Sequence, residues 1–409
     1  MKVLCLPYSH TLSHLSRPLA VASELRDRGH EVSFAGESRN IAFIKSRGFK
    51  VYPLYEPDPE ILYDNIRQGK LRFICKEEVE KLVKEDLLLF YELQPDIVIT
   101  DGRFSAPIST SIYKTKHCAI VNVSSTEFRA LPYIPFFDWI PKSLRSDFVE
   151  NALDRFNLAL EMFIFDNAMR VFKTLSHKHG LAKKVTATNC LAGNDLTLLA
   201  DVPEYFPARN LPENYHYIGP LTWKSKLPEP SWWPFKGTHR GIIYLTMGTT
   251  GISDFFPKVY DLFKKSRYPA IITTGGQSMD LDSITGKLYI ENFIDGDLAM
   301  GACDMVVCHG GNGTIYQALQ HGKPIIGIPS IPDQKFNMRR VESLGVGKML
   351  SWKDFLNRPE YLLELIDSIY SKKLFFERTS AFREVLNAYD PAKRAADIIE
   401  KEFSHKCHQ

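Results

Sequence analysis

Short unbroken apolar runs alternate with stretches in which apolar residues return every three or four positions, and this rhythm repeats along most of the chain. Val3-Leu4-Cys5-Leu6 is the first such run, as a strand buried on both faces requires. A polar loop from Ser9 to Ser13 follows, and then Leu15, Leu19, Ala22 and Leu25 fall at helical spacing. Gly29 stops that helix, since glycine tolerates the left-handed backbone of a helix end, and Glu31-Val32-Ser33-Phe34-Ala35 begins the next strand. A strand–helix–strand unit of this kind joins parallel strands. Ile97–Thr100 and Ala119–Asn122 read as further strands.

The rhythm breaks where Gly219, Pro220, Pro228, Pro230, Pro234 and Gly237 cluster, which marks a linker. A second series opens at Gly241–Leu245 and continues through Ala270–Thr273, Met305–Cys308 and Pro324–Ile328. The expected fold is α/β, with two Rossmann-like domains whose parallel sheets face each other across a cleft at the carboxyl ends of their strands. The expected boundaries are 1–218, a linker over 219–240, a second domain over 241–385, and a final helix over 386–409 packing back on the first domain. Residues 125–185 stand apart: aromatics and Pro132, Pro135 and Pro141 precede a helical pattern. Phe128, Tyr133, Phe136, Phe137 and Trp139 there suit an apolar pocket, a membrane surface or plain core, and the sequence leaves all three open.

Composition narrows the class. The 409 residues suit two domains of about 200 each. A formal charge of +3 is too near neutral to argue for nucleic acid. Cys5, Cys75, Cys118, Cys190, Cys303, Cys308 and Cys407 form no Cys-x-x-Cys pair and are odd in number. A disulfide framework or zinc site is therefore not expected, and a reducing cytoplasm is. The first residues turn polar too early for a signal peptide, and no apolar run approaches the roughly 20 residues of a membrane span. Peripheral contact with a membrane surface remains open, and no oligomeric state is indicated.

The most informative stretch runs from Met305 to Asn337. The apolar Met305–Cys308 leads into His309-Gly310-Gly311-Asn312-Gly313-Thr314, and a helix is expected from Ile315 to Gln320. The glycines let backbone approach a ligand closely. The amides at the helix start, backed by its dipole, suit a diphosphate, to which His309 and Thr314 would add hydrogen bonds. Pro332-Asp333-Gln334 and Asn337 follow a short strand. A carboxylate and an amide at a strand's carboxyl edge can grip vicinal sugar hydroxyls.

These residues, with Ala318-Leu319 and Gly322-Lys323-Pro324, resemble the donor signature of the family 1 UDP-glycosyltransferases, which include UDP-glucosyl- and UDP-glucuronosyltransferases and macrolide glycosyltransferases. Tyr244–Thr249, Glu291–Ile294 and Tyr217–Pro220 extend the likeness over most of the chain, which is weakest across 125–200. The resemblance implies the GT-B fold, an N-terminal acceptor-binding domain and a C-terminal nucleotide-sugar-binding domain. It implies that Gly248 and Thr249 face the phosphates, that Phe293 beside Ile294 stacks on the base, and that His309, Gly311, Asn312, Gly313 and Thr314 hold the diphosphate. Gln317 would meet the ribose, and Asp333 with Gln334 the sugar. Three departures stand out: Asp295-Gly296 where the family has Pro-Gln, Gln317 where it has glutamate, and Phe293 where tryptophan is common.

Sugar transfer needs a base for the acceptor hydroxyl, and imidazole titrates in the right range. His14 is expected just before the first helix, where the helix field favours neutral imidazole, and its distance from Gly29-His30 matches the family's catalytic histidine. His10 is the second candidate. Asp101, closing the strand Ile97–Thr100, would orient the imidazole, as an aspartate does in the family. The expected reaction is inverting transfer of a hexose from a UDP-sugar, UDP-glucose favoured, to a hydroxyl of a small-molecule or lipid acceptor. A dTDP-deoxysugar donor and a non-catalytic nucleotide-sugar-binding protein are the alternatives. No cofactor and no metal are expected, because helix dipole, loop amides and His309 would steady the leaving diphosphate, and the expectation is that no Asp-x-Asp motif is present to hold a metal. A dinucleotide oxidoreductase is disfavoured, since neither half opens with G-x-G-x-x-G. An epimerase of the same fold would need carboxylates in place of the His–Asp pair.

Overall fold

The computed structural model describes residues 1–134, 147–222, 224, 227–233, 241–248, 252–277 and 281–404. Thr249, Phe136, Phe137, Trp139, Pro135, Pro141, Pro234, Gly237 and Cys407 lie outside them. The chain divides into two compact units, Met1–Leu221 with Tyr389–Gln409, and Thr222–Ala388.

Strands β1 (Lys2–Pro7), β2 (Glu31–Ala35), β3 (Lys50–Tyr52), β4 (Ile97–Asp101), β5 (Lys116–Val121), β6 (Leu196–Leu199) and β7 (Tyr215–Tyr217) build the first sheet, in the order β3-β2-β1-β4-β5-β6-β7. The second unit holds β8 (Ile243–Thr246), β9 (Ala270–Thr273), β10 (Leu288–Glu291), β11 (Met305–Cys308), β12 (Ile325–Gly327) and β13 (Gly347–Met349), ordered β10-β9-β8-β11-β12-β13. Every strand pair is parallel. Central strands such as β4 and β11 are buried along their whole length, which explains why their sequences do not alternate.

Each unit repeats one topological event. The chain leaves its first strand outward on one side, then returns to lay a later strand on the other side, between β1 and β4 and between β8 and β11. Loops leaving such a pair diverge to opposite faces of the sheet, and a crevice opens at their carboxyl ends. The register sets Pro7 beside Asp101 and Thr246 beside Cys308, so the loops after these residues begin level. The last helix, Pro391–Phe403, packs on the helix Leu12–Asp27, with Arg28 reaching Asp397 and Glu400 at 2.7 Å each. Among the described residues no helix is long and apolar enough to cross a membrane.

Candidate active site

In the first unit His14, Arg17, Asp101 and Asn122 meet beyond the carboxyl ends of β1, β4 and β5. The backbone N–H of Tyr8 donates to the Asp101 carbonyl at 2.8 Å, which ties the loop after β1 to the end of β4. Ser9 is held by the buried Glu56 carboxylate, and Asn40 donates to the carbonyls of Ser9 and His10 at 3.0 and 3.2 Å. The helix then starts at Leu12, so His14 lies in its first turn and not ahead of it as the sequence reading has it. Thr11 is the N-cap by backbone alone, without a side-chain cap bond, so nothing in its side chain marks the start.

His14 Nδ1 is 2.6 Å from Asp101 Oδ1. Asp101 is buried, and the imidazole is one-third exposed. A carboxylate 2.6 Å away can only accept, so Nδ1 carries a proton, and in the neutral ring the lone pair falls on Nε2. Gly102, at φ +82°, makes room for the ring: a Cβ there would come within 3.4 Å of His14 Cγ and 3.0 Å of Tyr8 Cβ. His10 is not part of this contact; its ring packs against Tyr8 at 5.3 Å between centroids.

Sequence reasoning passed over Arg17. Its Nε donates to Asp101 Oδ2 and its Nη2 to Asp101 Oδ1, both at 2.6 Å, and its Nη1 donates to Asn122 Oδ1 at 2.6 Å. The signal was present, since residues three apart share a helix face, but a lone arginine before Pro18 reads as a solvated position.

In the second unit the crevice between β8 and β11 is lined by glycines around one histidine. A Cβ on Gly248 would come within 2.7 Å of His309 Cε1, and one on Gly311 within 2.5 Å of Nε2. His309 is buried, its Nδ1 has no partner, and burial pushes its pKa down to about 4. The ring is neutral at pH 7 and can offer a hydrogen bond but no charge. The helix runs from Asn312 to Gln320, three residues longer than expected, because Gly311 adopts extended backbone as N-cap and Gly313 fits the first turn. Its first turn carries no acid, and the amides of Asn312, Gly313 and Thr314 have no intrahelical acceptor. Asn312 Oδ1 is also buried without a partner. Thr314 is half-buried beside them.

The remaining donor candidates are placed unevenly. Phe293 is 45% exposed and lies against Gly276, while Ile294 is buried. Gln317 is buried and donates through Nε2 to Asp297 Oδ1 at 3.1 Å, and His321 Nε2 meets the same oxygen at 3.2 Å. The hydrogen bond from His321, and then that from Gln317, hold the Asp297 carboxyl below its ordinary value. Asp295-Gly296-Asp297 is an Asp-x-Asp sequence, contrary to the expectation that the chain has none. Asp295 caps its helix, accepting from the amides of Asp297 and Leu298, so its carboxylate serves backbone. Asp333 and Gln334 sit in the first turn of the helix Pro332–Leu344 and not at a strand edge, since Pro332 is preorganised for a first helical position. Gln334 is buried with Oε1 on the Ser330 amide and hydroxyl at 2.9 and 3.1 Å, whereas Asp333 is half-buried with Oδ2 at 3.3 Å from Asn337 Nδ2.

A family model described as the glycosyltransferase family 28 C-terminal domain matches residues 242–400. A PGL/p-HBAD biosynthesis rhamnosyltransferase of Mycobacterium bovis (strain BCG) is 30% identical over 350 residues, covering 85% of this chain and 76% of that protein. A PGL/p-HBAD biosynthesis glycosyltransferase of Mycobacterium tuberculosis is 31% identical over 357 residues, covering 85% and 80%. The solved structure of a spinosyn rhamnosyltransferase complexed with thymidine diphosphate matches with a TM-score of 0.72 at 16% identity, over 98% of this chain and 100% of that one, a likeness of fold.

Proposed function

We propose a donor and a catalytic geometry for a chain that belongs to the family 1-like glycosyltransferases of GT-B fold and is therefore a glycosyltransferase. The reaction is inverting transfer of a 6-deoxyhexose of the rhamnose class, from its thymidine diphosphate, to a hydroxyl of an apolar small molecule or lipid. Two observations favour this donor over the UDP-glucose that the sequence alone prefers. The mycobacterial relative at 30% identity is a rhamnosyltransferase. Gln334 spends its carbonyl oxygen on Ser330, which leaves the pair fewer acceptors for sugar hydroxyls, and a sugar lacking the 6-hydroxyl asks for fewer partners.

The contact between His14 and Asp101 carries the mechanism. Nε2 of His14 takes the proton of the acceptor hydroxyl as its oxygen attacks the anomeric carbon from the face opposite the diphosphate. The bond from that carbon to the diphosphate oxygen breaks, and its electron pair leaves with the nucleotide. Asp101 steadies the imidazolium that forms. Charge growing on the leaving group meets the amides of Asn312, Gly313 and Thr314, the helix dipole behind them, and a neutral hydrogen bond from His309. That arrangement asks for no metal clamp.

The test is turnover with a β-linked dTDP-rhamnose and with UDP-glucose over a panel of phenolic and lipid alcohols, with the anomeric configuration of the product read by NMR. The expected result is preference for the deoxyhexose and an α-linked product. Preference for UDP-glucose would overturn the donor, and a retained configuration would overturn the mechanism. His14→Ala is expected to lower kcat by about 10²–10⁴ with the donor KM near its original value.

A further inference from the structure

The mechanism above uses His14 and Asp101 and leaves Arg17 and Asn122, packed against them, without a part. We propose that Arg17 is a positioning residue for glycosyl transfer: its guanidinium fixes the rotation of the Asp101 carboxylate so that Oδ1 stays on His14 Nδ1. The inference rests on reading His14 as the base.

A carboxylate turns easily about its last torsion, whose energy wells are broad. Here both oxygens are pinned, Oδ2 by Arg17 Nε and Oδ1 by Arg17 Nη2, each at 2.6 Å. This is the two-pronged geometry that matches a planar guanidinium to a carboxylate. The clamp is itself anchored. Arg17 Nη1 donates to Asn122 Oδ1 at 2.6 Å, Asn122 Nδ2 donates to Asp201 Oδ1 at 3.0 Å, and Asp201 Oδ2 accepts the Val123 amide at 2.6 Å. The chain of bonds thus runs from the end of β4 to the loops after β5 and β6. One helix face carries both the base and the clamp on its base's partner, three residues apart.

The geometry also sets a hazard that the clamp controls. Arg17 Nη2 lies 3.1 Å from His14 Nδ1. If the carboxylate turned away, the guanidinium could donate to a bare Nδ1, and the ring proton would move to Nε2. That tautomer has no lone pair facing an acceptor hydroxyl. With Oδ1 held at 2.6 Å, the carboxylate outcompetes the guanidinium for Nδ1.

Arg17→Lys keeps the charge beside buried Asp101, which protects folding, but an ammonium cannot form the fork. The expected result is a fall in kcat of about ten- to a hundredfold at an unchanged donor KM. In a ¹⁵N–¹H correlation of the histidine rings, His14 is expected as a single Nδ1-protonated form in the parent and as a mixture of tautomers in the variant. Asn122→Ala, which removes only the outer anchor, is expected to move both readouts the same way by less, and it stands in if the lysine variant does not fold. Unchanged kcat and a single tautomer would overturn the proposal. So would a loss of activity without any change of tautomer, which marks a structural role only. His14→Ala is measured alongside. If it leaves turnover intact, the base assignment falls and Arg17 with it; if it lowers turnover while Arg17→Lys does not, Arg17 alone falls.

Discussion

His309 and His117 are buried in different units and neither is paired with a cation-stabilising carboxylate strong enough to keep it charged. Burial pushes His309 down to about 4 and His117 to about 3. Both folded values lie below the unfolded value near 6.5. As pH falls below 6.5, the unfolded chain binds protons on these rings and the folded chain does not, so stability is full above 6.5 and drains away on acidification toward 4. For His309 the loss between pH 6.5 and 5 is about 2 kcal/mol. His309→Gln is expected to flatten the decline of unfolding temperature with falling pH, as read by calorimetry from pH 7 to 5. Equal slopes for parent and variant would contradict the burial argument. At this scale His14, Asp101 and His309 could be singled out as candidates because each follows or ends an apolar strand, and the structure brings the first two together at 2.6 Å. Arg17 was not legible, because a buried arginine is identified by its partners, and Asp101 is 84 positions away.

At the scale of elements, the parallel sheets were readable where strands are buried on both faces. Ala270–Thr273 and Met305–Cys308 were bounded correctly for that reason, and Glu31–Ala35 was bounded correctly although Glu31 is exposed and Ser33 only half-buried. The three-residue strands Lys50–Tyr52, Tyr215–Tyr217 and Gly347–Met349 were not, since each lies at a sheet edge, partly exposed and too short to show a period. The helix Pro332–Leu344 was not anticipated at all, because Pro-Asp-Gln reads equally as a turn. Its first turn now frames a prediction. Asp333→Asn is expected to raise the KM for the sugar nucleotide several-fold while the affinity for the free nucleoside diphosphate stays within about twofold. An equal loss for both ligands would mean that Asp333 supports the helix through its dipole and does not touch sugar.

At the scale of the molecule, one topological event is used twice with different chemistry. In the proposed reading the first unit's His14–Asp101 contact serves proton transfer, and the second unit's amides, glycines and neutral His309 serve as the anion site. Size and the break near 219–237 signalled the two compact units that the structure shows. The sequence did not reveal that Gln317 and Gln334 are turned to Asp297 and Ser330, because side-chain amides pair with whatever the fold brings near. The central claim is this division of labour, and calorimetric titration of dTDP into three proteins tests it most directly. Gly311→Ala introduces no backbone strain at φ −73° but drives a methyl to within 2.5 Å of His309 Nε2. It is expected to weaken dTDP binding by about tenfold or more, whereas His14→Ala is expected to bind dTDP as the parent does. Parent-like affinity in Gly311→Ala, or a matching loss in His14→Ala, would contradict the account.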